Sequence, residues 1–80
     1  MATLIINVVD IEENPCSGEE VECLVGRTEN VFGPVKTDDK GQARFDIGGQ
    51  TGYFIVRLNG VPIRKRLIIL DGRNYRITKS

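Results

Sequence analysis

Apolar residues along this chain recur every second position, in short runs separated by polar, glycine-rich breaks. Glu20 to Gly26 places Val21, Cys23 and Val25 on one side and Glu20, Glu22 and Leu24 on the other. Gln42 to Ile47 places Ala43, Phe45 and Ile47 inward in the same way. A period of two belongs to strands with one face buried. Thr3 to Val9 is a short β-branched run, which reads as a further strand. Asp10 to Gly18 is a polar turn segment, since Pro15 and Gly18 bar a central strand. Arg27 to Gly33 reads as a loop, and Pro34 to Thr37 as a short edge strand. Asp38-Asp39-Lys40-Gly41 is a turn in which Gly41 takes positive φ. Gly48 to Gly52 is a flexible connection.

The stretch from Tyr53 to Thr78 organises the rest. Apolar runs flank Asn59-Gly60 and again flank Asp71-Gly72, and both dipeptides suit the type I′ turn that joins neighbouring strands. The simplest expectation is a three-stranded antiparallel meander. A two-residue first turn sets Leu58 opposite Val61, Val56 opposite Ile63 and Phe54 opposite Lys65. Phe54, Val56, Leu58, Val61 and Ile63 then share one face; Tyr53, Ile55, Arg57, Arg64 and Arg66 share the other. A regular strand over Val61 to Leu70 would turn Ile68 and Leu70 away from Ile63. A bulge or bend near Arg64 to Arg66 is expected to bring both halves inward. No window has helical periodicity with caps. Seven strands at short spacing predict a single all-β domain over residues 1–80, a seven-stranded antiparallel β-sandwich of prealbumin-like or immunoglobulin-like type.

At 80 residues the chain is near the lower size for a self-sufficient core. It contains no His and no Trp, so the commonest general base and neutral metal ligand are missing. No basic leader precedes the first apolar run and no run reaches bilayer length, so a cytoplasmic or virion location without membrane contact is expected. Cys23 alternates with core valines and Cys16 sits in a polar loop, which favours two free thiols.

Net charge is zero but unevenly spread. Residues 1–52 carry four basic and ten acidic groups, whereas residues 53–80 carry seven basic groups against Asp71 alone. Acidic and basic strands pairing within one molecule would explain the split; so would a dipolar surface that steers association.

Three segments carry a family resemblance. Pro15-x-x-Gly18-x-x-Val21-x-Cys23, then Lys36 to Phe45 with its T-D-x-x-G-x-x-x-F hairpin, then Thr51 to Val56, resemble the prealbumin-like sandwich family. That family includes carboxypeptidase regulatory-like domains and the B-type repeats of bacterial surface adhesins. The resemblance implies a fold rather than an activity. Isopeptide-type adhesin repeats pair a first-strand Lys with a late Asn; here the first strand has no Lys, and Asn7 with Lys79 would be a reversed pair. Transthyretin-like hydrolases need His, which is absent.

Candidate chemistry is sparse. Asp38 and Asp39 read as turn formers and Asp46 as an outward strand residue, so no metal or other cofactor is expected. The Gly48–Gly52 loop has no following helix to present phosphate-binding amides. Ser17, Thr28 and Cys16 have no base placed to activate them, so no catalysis is expected. The basic face with Tyr53, Ile55, Arg57, Arg64 and Arg66 is the expected partner-binding site, because Arg and Tyr are enriched at interface hot spots. Overall neutrality and the acidic first half weigh against nucleic acid. A protein partner or self-association is therefore expected, in a non-catalytic structural or accessory module docking on a larger assembly such as a bacteriophage particle. The alternatives are a small inhibitor or adaptor of a host enzyme, and a carbohydrate-binding module, which the lack of Trp disfavours.

Overall fold

A computed structural model describes residues 2–26 and 29–79; Arg27 and Thr28, including the loop start and the hydroxyl considered above, lie outside the described residues. The described residues are all-β, in two sheets and seven strands: β1 Ala2–Val9, β2 Glu20–Val25, β3 Val31–Lys36, β4 Gln42–Gly48, β5 Tyr53–Leu58, β6 Val61–Ile68 and β7 Asn74–Thr78. No described residue is helical. One sheet has the order β4-β1-β7 and the other β3-β2-β5-β6.

Strict alternation produces the core. Leu4, Ile6 and Val8 of β1, Val21, Cys23 and Val25 of β2, and Ala43, Phe45 and Ile47 of β4 are all buried. Phe54, Val56 and Leu58 of β5 join them, with Tyr75 and Ile77 of β7. Hydrophobic burial of this kind is the main favourable contribution in so small a domain. Burial pushes the Cys23 thiol up to about 12, which leaves it protonated and inert. Both cysteines are free, Cys16 half-buried in the β1–β2 loop.

Two turns repeat one arrangement. Asp10 Oδ1 accepts from the amides of Glu12 and Asn14, and Asp38 Oδ1 accepts from those of Lys40 and Gln42. In both, the fourth residue donates its amide to the Asp carbonyl and sits at positive φ. That residue is Gly41 in one turn, as the sequence indicates, and Glu13 in the other. These amide donors hold both aspartate carboxyls below their usual pKa, the Asn14 and Gln42 amides contributing most.

The C-terminal third departs from the expected meander. β5 and β6 do form a hairpin: Asn59 and Gly60 both take positive φ, and Leu58 pairs with Val61, Val56 with Ile63. The expected irregularity is present, but it changes the register. Beyond Val56–Ile63 the next inward pair is Phe54–Leu67, so Arg64 to Arg66 bulge out and Lys65 does not face Phe54. Because the bulge adds two residues, side-chain parity is kept. Ile63, Leu67 and Ile69 pack toward the core, while Ile68 (61 % exposed) and Leu70 (45 %) point away instead of turning inward.

β7 then leaves the hairpin's sheet and pairs with β1 in parallel, so the fold is neither a C-terminal three-stranded meander nor wholly antiparallel. Only Gly72 of the Asp71-Gly72 pair takes positive φ, which excludes the type I′ geometry. The turn is tied to β1 instead: Asp71 Oδ1 accepts from the Thr3 amide, and the Gly72 amide donates to the Thr3 carbonyl. Tyr75 completes the crossover. Its ring packs edge-on against Phe54, centroids 5.0 Å apart, and its hydroxyl donates to the Ile68 carbonyl and accepts from the Leu70 amide.

β3 starts at Val31 rather than Pro34, with a bulge at Gly33-Pro34 that offsets its pairing with β2. A Cβ on Gly33 would lie 3.2 Å from the Phe45 ring, which shows how closely β3 approaches β4 of the other sheet.

Candidate functional site

The expected partner-binding residues divide into two groups. Tyr53, Ile55 and Arg57 point outward from β5, and cross-strand pairing decides their neighbours. Ile55 stands opposite Leu24, which stands opposite Val31, so three apolar side chains form a row across β3, β2 and β5 on the outer face. Tyr53 stands opposite Ile68 at the end of β6. Val31 and Ile68 are exposed, and Leu24, Ile55 and Tyr53 are half-buried. A shallow depression of about 330 Å³ lies between Leu24, Gly26, Glu29, Tyr53 and Ile55. The Tyr53 ring lies so close over Gly26 that a Cβ there would sit 2.2 Å from it. Position 26 therefore sets how flat the aromatic ring can lie.

Arg66 joins this group. Its guanidinium is 4.8 Å from the Tyr53 ring centroid, a cation–π contact that places a charge beside the apolar row. Arg57 is engaged differently, with its Nη1 3.5 Å from Glu22 Oε1 on β2. Arg64 is exposed in the β6 bulge beside Lys65, and neither has an acidic partner among the described residues. The structure thus brings Tyr53, Ile55 and Arg66 together, assigns Arg57 to a neighbouring strand, and leaves Arg64 on the edge.

The charge split has two components. Glu22–Arg57, Glu13–Arg76 and Glu19–Lys79 each join the acidic first part of the chain to the basic last part. Lys79 and the Asn59 amide, which donates to Glu19 Oε2, hold the Glu19 carboxyl below its usual pKa; Glu19 in turn raises that of Lys79. Arg64, Lys65, Arg66 and Arg73 are left outside these pairs, Arg73 lying 5.8 Å from the Tyr75 ring centroid. Internal pairing therefore accounts for part of the asymmetry, and the β6 edge, with Arg73 beyond it, keeps the other basic groups.

Sequence reasoning missed Leu24, Val31 and Ile68 as members of this surface. Leu24 carried a signal, being the one apolar residue on the glutamate side of β2. Val31 and Ile68 required the strand register. Asn7 and Lys79, the reversed pair that a cross-link would need, are engaged separately: Asn7 Nδ2 donates to the Tyr75 carbonyl, and Lys79 binds Glu19. Among the described residues, no three His, Cys, Asp or Glu side chains stand together as a metal site. No protein-family model, curated protein or solved structure matches the chain.

Proposed function

We propose that this protein is a non-catalytic interaction module that docks on a larger assembly through the outer face of the β3-β2-β5-β6 sheet. The observation that supports this most is the apolar row Val31–Leu24–Ile55 with Tyr53 and Arg66 at its end. The solvent face of an antiparallel sheet is ordinarily polar, and a contiguous apolar patch beside an aromatic and an arginine has the make-up of an interface core. The resemblance to prealbumin-like modules agrees with a non-catalytic role, and an immunoglobulin-like or prealbumin-like sandwich is the fold type we assign. An accessory position on a bacteriophage particle is the assembly we propose, by analogy with other small all-β modules.

The test is affinity capture from the source organism with the unaltered chain and with an Ile55→Glu, Arg66→Glu double variant. The proposal requires a defined partner that the double variant loses while keeping its far-ultraviolet spectrum. Equal capture by both would remove the outer face from the account.

A further inference from the structure

The two sheets do not match in width, three strands against four. The Phe54–Tyr75 contact sets β7 across from β5, so β6 extends one strand beyond the opposite sheet. Its inward side chains show the consequence: Ile63 and Leu67 are half-buried and Val61 is 66 % exposed, although each pairs with a buried residue of β5. At the Tyr75 end the gap is closed by the hydroxyl's bonds to Ile68 and Leu70. Toward the other end it opens into a cleft of about 240 Å³ lined by Leu58, Val61, Ile63, Thr78 and Lys79.

One wall of that cleft is a strand edge ready for pairing. The Ile5 amide donates to the Arg73 carbonyl and the Lys79 amide to the Val9 carbonyl, so the odd-numbered residues of β7 face β1. In a parallel ladder the alternate residues, Asn74, Arg76 and Thr78, turn their backbone groups away. β7 has neither proline nor bulge. The edges of the wider sheet are blocked by both: Pro34 and its bulge in β3, Pro62 and the Arg64–Arg66 bulge in β6.

We propose that this cleft receives a short extended segment of an acidic partner protein. The segment pairs with β7 as a fourth strand of the narrower sheet and covers the inner face of β6. Its inward apolar residues meet Val61 and Ile63. Its outward residues stand beside the exposed Arg76, and Lys79 lines the cleft, so acidic side chains of the segment would take over the cations that now hold Glu13 and Glu19. A second copy of this chain is a poor donor. Its one alternating acidic and apolar stretch, Glu20 to Val25, is already a central strand of its own sheet.

The probe is a terminally blocked peptide of about eight residues, a common strand length, alternating glutamate and valine, added to the isotopically labelled full chain. A lysine–valine peptide is the control. The expected result is slowed amide exchange at Arg76 and Thr78, with shifts at Val61 and Ile63 that weaken as salt rises. The lysine peptide should bind at least roughly tenfold more weakly. Thr78→Pro removes an outward amide that has no partner among the described residues, and Val61→Glu places a like charge at the mouth of the cleft. Each should weaken binding by at least about tenfold. The proposal is overturned by no binding at millimolar peptide, equal binding by either variant, equal binding of the lysine peptide, or shifts confined to Leu24 and Tyr53. The last would instead favour the outer face, so the two proposals fail separately. Protection of Arg76 and Thr78 that grows with protein concentration alone would mean that a second copy is the occupant, and would also overturn it.

Discussion

β5 and β6 are adjacent strands of one hairpin with the same inward chemistry, yet they have different surroundings. Phe54, Val56 and Leu58 are buried, whereas of their pairing partners Leu67 and Ile63 are half-buried and Val61, beside the turn, is exposed. Residue type cannot account for this, since both strands offer large apolar side chains. What differs is the layer across the core. β5 faces Tyr75 of β7, and β6 faces no strand among the described residues. On the opposite side of the molecule, β3 and β4 approach each other closely enough to close the core around Phe45. A strand's burial is thus decided by the width of the sheet opposite it, and this protein has one closed side and one open side.

Substitutions along that axis should show a graded response. Phe45→Ala, on the closed side, should cost about 3–5 kcal/mol in denaturant unfolding, enough to threaten a domain with ordinary marginal stability. Ile63→Ala, on the open side, should cost roughly 1 kcal/mol, below the ~2–5 kcal/mol of a fully buried isoleucine. If the two losses are alike, β6 is covered and the contrast fails.

Much of this arrangement was legible from alternation. Val21/Cys23/Val25 and Ala43/Phe45/Ile47 announced their inner faces, and Asn59-Gly60 announced its hairpin. The position of β7 was not legible, because Tyr75 and Ile77 alternate with Asn74 and Arg76 equally well in either sheet. The deciding contacts, Asp71 to Thr3 and Tyr75 to Phe54, join residues distant in sequence. The start of β3 was hidden because Val31-Phe32-Gly33-Pro34 contains two strand-breaking residues that the bulge accommodates. Of the candidate surface, Tyr53, Ile55 and Arg66 could be named from β5 and β6 alone. The apolar row that gives them context comes from the pairing of three strands.

Smaller effects sharpen the same contrast. Glu19, joined to Lys79 at the mouth of the open cleft, and Asp38, in the turn between β3 and β4, both have depressed carboxyl pKa values. A depressed folded pKa gives stability that is present above the unfolded value and lost as pH falls through the folded one. The ordinary values are 4.5 for a Glu and 3.8 for an Asp carboxyl, so the loss should set in below those pH values on both sides. Glu19→Gln and Asp38→Asn should each flatten the acid limb of a stability-against-pH curve. An unchanged limb in Glu19→Gln would mean that the Lys79 pair contributes nothing. Val61→Lys should change stability least, within about 0.5 kcal/mol, as expected of an exposed position.

Residue-resolved amide exchange of β7 in the free protein tests the open side most directly. With three strands against four, Tyr75 and Ile77 should be protected by their bonds to β1, while Arg76 and Thr78 exchange at rates close to those of an unstructured chain. Slow exchange at all four amides, at every protein concentration, would show that the β7 edge is already covered and would contradict the account.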